Sequence, residues 1–267
     1  MTTLRIPFFQ VDAFSDHIFG GNPAAVCPLE RWLPDETLQD IARENCLSET
    51  AFLVEDGADY HVRWFTPTTE VDLCGHTTLA GAWVLFHRIS PGRESVTFHT
   101  QSGPLRVTLR GELLEMDLPA RPPAPTTPPP GLAEALGLAP LEVLEARDLL
   151  CVLADERAVR ELAPDMTRLG ALDAYALIVT AQADPGRGVD FVSRFFAPAI
   201  GVPEDPVTGS SHSTLVPFWA ARLGKSALVA EQVSSRGGRL ECRLEGDRVH
   251  MAGRCAPYLE GVIAIQE

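Results

Sequence analysis

Apolar and polar positions run through the chain with two alternating periods, and they do so twice in the same order. LPDETLQDIAREN (33–45) has the spacing of an amphipathic helix, and SETAFLVED (48–56) is an apolar run of strand length. ADYHVRWFTP (58–67) reads as a second strand, followed by a loop, a glycine and the apolar helix-like segment within TTEVDLCGHTTLAGAWVLF (68–86). QSGPLRVTLRGELLEMDLPARPP (101–123) alternates on both sides of Arg110-Gly111-Glu112, the pattern of a hairpin. The series then repeats: helix in DERAVRELAPD (155–165), strands in DAYALIVTA (173–181) and GVDFVSRFFAP (188–198), and loop, glycine and helix in AIGVPEDPVTGSSHSTLVPFW (199–219). A hairpin around Glu245-Gly246-Asp247, in SSRGGRLECRLEGDRVHMAGRCAP (234–257), closes it.

An internal repeat of this kind predicts an α+β protein of two similar lobes, 1–119 and 132–267, with the N-terminal residues free to pack across both. The proline-rich stretch 120–131 (ARPPAPTTPPPG) lacks backbone donors and favours extended conformations, so it is expected to be the linker. Two such lobes imply a pseudo-twofold axis and a cleft, a favoured place for a ligand. In each lobe a glycine opens a predicted helix, at Gly75 and at Gly209-Ser210, and the first-turn N–H groups there suit an anion such as a carboxylate. The alternative is that Thr77, Ser210 and Ser211 simply cap two helices.

Composition narrows the partners. A net charge of −14 repels nucleic acid and anionic membranes. No signal peptide or membrane span is read from the N-terminal pattern, which points to the cytoplasm. The six cysteines form no C-x-x-C pair and the histidines no ligand-type spacing, so neither a disulfide framework nor a metal site is expected. Nor is there a dinucleotide fingerprint, P-loop or nucleophile elbow.

The candidate chemistry is lopsided. Cofactor-free racemases need an acid and a base on opposite faces, which two lobes could supply as a pair of thiols. Cys74 precedes Gly75, but Thr208 precedes Gly209. Glu49 stands at the mouth of an apolar strand, where desolvation can tune a carboxylate for acid/base work; its counterpart is Ala174. An exposed loop glutamate is the plain alternative. The second lobe has three more residues between Pro198 and Gly209 than separate Pro67 from Gly75, and this loop carries Glu204-Asp205-Pro206. Asp205 could hold a substrate amine or hydroxyl, or merely start a turn. His76 could be a cap, a core residue or a proton donor.

VDAFSDHIFGGNPAAVCPL, CLSETAFLV, VRWFTPTTEVDLCGHTTLAGAW and RFFAPAIGVPEDPVTGSSHSTLVPFWAARLGK together resemble the phenazine-biosynthesis PhzF-like family over nearly the whole chain. The resemblance implies the diaminopimelate-epimerase-like fold, two pseudo-symmetric lobes each with a curved, mostly antiparallel sheet around a central helix. It implies a homodimer acting without metal or organic cofactor on a small carboxylate-bearing substrate; the phenazine member isomerises dihydro-hydroxyanthranilate by moving a proton between ring carbons. It places the acid/base glutamate on Glu49, polar positioning on His76 and Asp205, and substrate contacts on Gly75, Gly209 and Ser210, with Asn22 in a further shared motif. An amino-acid epimerase using Cys74, and a non-catalytic binding protein on the same scaffold, are the alternatives. The family's motifs usually carry other residues at Thr77 and Ser211, and Pro217 falls inside the second central helix, where it would kink it.

Overall fold

The computed structural model describes residues 3–266, which form two compact units. The first contains the chain up to Asp117 together with the residues from Ala252 onward. In it β1 (Thr3–Ala13) and β2 (Asn22–Leu29) pair antiparallel, and α1 (Asp35–Asn45) crosses over to β3 (Glu49–Asp56), parallel to β2. β4 (Asp59–Phe65) pairs antiparallel with β3 and carries β5 (Glu70–Val71). After α2 (Gly75–Val84) come β6 (Ser95–Thr100), parallel to β4, then β7 (Gly103–Arg110) and β8 (Leu113–Pro119).

Burial on both faces explains why β3 reads as an unbroken apolar run. Phe52 packs with Leu38 and Ile41 of α1 on one face. Leu53 turns to the other, where it lies against Gly81 of α2. Helix α2 is buried from His76 to Val84 and packs on β1, β2, β3 and β7, as a helix apolar all round must.

The second unit, Leu118–Met251, repeats this pairing order. It comprises β9 (Ala124–Pro125), α3 (Leu132–Leu136), β10 (Glu142–Glu145), β11 (Leu149–Val152), α4 (Glu156–Glu161), α5 (Met166–Gly170), β12 (Leu177–Gln182), β13 (Phe191–Ala197) and β14 (Val202–Asp205). Then follow α6 (Gly209–Leu223), β15 (Ala227–Gln232), β16 (Gly238–Glu245) and β17 (Arg248–Gly253). The succession antiparallel β10–β11, parallel β11–β12, antiparallel β12–β13, parallel β13–β15 matches β1–β2, β2–β3, β3–β4 and β4–β6. The duplication thus extends to an opening hairpin that the sequence comparison did not reach. Leu177, Val179 and Phe196 pack with Leu136, Val159 and Leu169 of the small helices on one face. On the other, Trp219 of α6 stacks on Phe191 at 5.8 Å and donates to Thr180 Oγ1 at 3.0 Å.

The arginine shared by RWFTP and RFFAP ties each strand to its loop. Arg63 grips Glu70 through both carboxylate oxygens (2.7 and 2.6 Å) and also reaches Asp35. Arg194 grips Glu204 in the same way (2.7 and 3.0 Å) and donates to the carbonyls of Val159 and Leu162 at the end of α4.

Several expectations are corrected. The last strand, β18 (Cys255–Gln266), was expected in the second lobe but pairs along β1 in the first unit. The stretch 120–131 is packed within the second unit: Ala124–Pro125 pairs with Leu144–Glu145, and Thr126 N–H donates to Val143 O. The helix expected over 155–165 stops at Glu161, because Pro164 disfavours the helical conformation of the residue before it. Pro217 is held in one helix running from Gly209 to Leu223. It has no N–H for Ser213 O, and Arg121 N–H fills that acceptor at 2.8 Å.

Candidate functional site

Asn22 opens β2 and Glu49 opens β3. The parallel register sets Ala24 beside Glu49 and Val26 beside Ala51, so Asn22, Ala24, Glu49 and Ala51 share one face of the sheet. That is the face of Leu53, against which α2 packs with His76 as its second residue. Two strand positions far from it in sequence, Asn22 and Glu49, therefore converge on one imidazole. His76 Nε2 lies 3.1 Å from Glu49 Oε2, although neither atom has an aligned hydrogen-bond partner. On the opposite edge, His76 Nδ1 is 3.1 Å from Asn22 Nδ2 and 3.4 Å from Cys74 Sγ. His76 and Asn22 are buried, whereas the Glu49 side chain keeps 17% of its surface exposed and is the member a ligand can reach.

The electrostatics follow from that packing. Burial alone would favour the neutral His76 ring; the anionic forms of Cys74 and Glu49 oppose it and hold the imidazole well above its usual range, and with the thiol protonated the Glu49 carboxylate is the anion left to do so. Burial, reinforced by Glu49, pushes the Cys74 thiol up, which disfavours a thiolate. Glu49, Cys74 and His76 also form a group whose donor atoms lie within 4.8 Å of one another. They do not converge as a metal centre should. Sγ sits at the Nδ1 edge of the ring and the carboxylate at the Nε2 edge, and the lone pairs of the two nitrogens diverge.

Neither central helix is capped by a side chain. Thr77 Oγ1 donates to Cys74 O at 3.5 Å and Ser211 Oγ to Thr208 O at 2.8 Å, so these hydroxyls turn away from the first-turn N–H groups. The capping alternative is not what the fold uses, and Gly75 opens α2 with its donors uncapped.

Asp205, Gly209 and Ser210 belong to the second unit. Asp205 Oδ2 accepts from Thr208 Oγ1, and Gln232 binds three points of the same turn. Gln232 Oε1 accepts from Thr208 N–H at 2.8 Å, while Nε2 donates to Asp205 O (2.7 Å) and Thr208 Oγ1 (3.1 Å). Sequence reasoning missed Gln232, since nothing local marks a glutamine at the end of a strand 24 residues beyond Thr208. His212 is buried with Nδ1 on Thr208 O, and burial lowers its pKa to about 4. It is a neutral core histidine.

The family model described as phenazine biosynthesis-like protein (PhzC-PhzF) matches residues 11–261. An uncharacterized isomerase of Pseudomonas aeruginosa is 53% identical over 97% of this chain and 99% of its own length. The crystal structure of a phenazine biosynthesis protein of the PhzF family from Enterococcus faecalis superposes with a TM-score of 0.94 at 46% identity, covering 97% of this chain and 99% of that one. A hydroxyproline epimerase from Agrobacterium vitis shares the fold alone, with a TM-score of 0.63 at 11% identity over 98% and 93% of the two chains.

Proposed function

Since the chain belongs to the phenazine biosynthesis-like PhzC-PhzF family, we propose that it is an isomerase that moves a proton on a small carboxylate-bearing substrate without a cofactor. Glu49 is the acid/base. It takes a proton from one carbon of the substrate and returns it to another on the same face, which needs one group rather than two. His76, held cationic beside it, stabilises negative charge as the proton leaves. The uncapped start of α2 at Gly75 receives the substrate carboxylate. Asp205, Gly209 and Ser210 orient the substrate's remaining polar groups.

The observation that carries this reading is the 3.1 Å approach of Glu49 Oε2 to His76 Nε2, with the carboxylate the exposed member of a buried cluster. A cysteine-based epimerase is the competing reading, because Cys74 belongs to the same cluster. Its buried, uptitrated thiol and the threonine at the corresponding place before Gly209 count against it.

Dihydro-hydroxyanthranilate is the first probe, tested beside free L-amino acids. Glu49→Gln should lower turnover by about 10²–10⁴-fold, the usual range for an acid/base group. Cys74→Ser should cost less than tenfold, a factor of about 1.4 kcal/mol in barrier. Racemisation of an amino acid that depends on Cys74 and survives Glu49→Gln would replace this reading with the epimerase.

A further inference from the structure

The Nδ1 edge of His76 faces away from Glu49 and plays no part in the chemistry described above. Its nearest polar group is the Asn22 side-chain amide at 3.1 Å, on a residue with no exposed surface. Asn22 is fixed from both sides. It opens β2, and it follows a loop in which a methyl on Gly21 would stand 2.2 Å from Ala13 O.

From this geometry we infer that Asn22 is a positioning residue whose amide serves His76 Nδ1 in both protonation states of the ring, keeping the Nε2–H bond on the side of Glu49. An amide is suited to the task because it carries a donor and an acceptor at one end, exchanged by a half-turn. With Nδ2 toward the ring the amide N–H pairs with an unprotonated Nδ1, the arrangement of a neutral ring that carries its proton on Nε2, whereas the cation held beside Glu49 takes the opposite face of the amide. When the ring gains a second proton at Nδ1, the half-turn presents Oδ1 to accept from it. The proton balance is simple: Nδ1 gains or loses one proton, Nε2 keeps its own, and the ring does not swing away from Glu49. Other groups facing the imidazole are Cys74 Sγ, at the same edge, and Glu49 across the ring. A thiol is a weak and indifferent partner, so Asn22 rather than Cys74 decides which nitrogen carries the proton.

The inference rests on the proposed role of Glu49 and His76 for its value to the reaction, but its test does not. Imidazole-¹⁵N-labelled protein, without any ligand, is titrated by NMR and the two His76 nitrogens are followed. The wild type should show Nε2 protonated at every pH and Nδ1 as the nitrogen that titrates. Cys74→Ala should leave that assignment unchanged. Asn22→Asp, an acceptor only, should keep Nδ1 protonated to higher pH. Asn22→Leu, with neither group, should mix the tautomers and bring both nitrogen signals toward intermediate positions. A neutral wild-type ring protonated on Nδ1 overturns the inference even if no variant folds. So does an Asn22→Leu protein whose nitrogens titrate like the wild type's. Loss of turnover with the expected tautomer intact would count against the catalytic reading alone.

Discussion

Glu49 and His76 form a pair whose stability should depend on pH in one direction. The folded protein holds the His76 imidazole above its ordinary value, so folding favours the cation. The stabilisation is therefore complete below about pH 6.5, the unfolded value, and is lost as pH rises through the folded pKa. Urea denaturation should find wild type and His76→Gln furthest apart at about pH 6, converging toward alkaline pH; a difference that grows with pH contradicts the ion pair. At this scale the sequence was partly legible. Cys74, Gly75 and His76 are neighbours, and Glu49 stood out as a carboxylate at the mouth of an apolar run. The Asn22–His76 contact spans 54 residues, and the Gln232 brace on Thr208 spans 24, so neither leaves a local signature.

Elements are where the duplication shows best, because each lobe buries a central helix that must be apolar all round and a strand covered on both faces. The opening hairpins β1–β2 and β10–β11 escaped comparison because pairing, not residue type, makes them equivalent. The loop from β1 to β2 is the element on which the site most depends. Gly21 has φ +63°, and a side chain there would collide with the backbone at Ala13 O, which cannot yield as a flexible side chain would. Gly21→Ala should cost about 1–2 kcal/mol from the left-handed backbone alone, with the collision at Ala13 O added to it. The strand start that carries Asn22 should shift with it. Thermal melts should show a loss of several degrees with a disproportionate fall in turnover; an unchanged melting temperature would refute this account of the loop. A Pro217→Ala exchange should have little effect, since Arg121 N–H already occupies Ser213 O.

For the whole molecule, the chain's order and its packing part company at the end. The sequence assigns the C-terminal residues to the second repeat, but β18 lies along β1, at the opposite end of the chain. Long-range strand pairing has no sequence period to betray it. A chain ending at Gly253 should therefore damage the first unit, leaving the edge of β1 that β18 covers unpaired while its other edge stays on β2. Circular dichroism and urea denaturation of that truncation should show a weakened first transition; wild-type unfolding would contradict the assignment. Among the described residues no helix is long and apolar enough to cross a membrane. The central claim is that one carboxylate, Glu49, moves the proton. Turnover of dihydro-hydroxyanthranilate in deuterium oxide, read by mass spectrometry, tests it most directly. Wild-type protein should give product labelled at the receiving carbon to the extent that the proton on Glu49 exchanges with solvent before its return, and Glu49→Gln at least about 10²-fold less product and label; product formed by Glu49→Gln at a tenth or more of the wild-type rate, or about 1.4 kcal/mol in barrier, would contradict it.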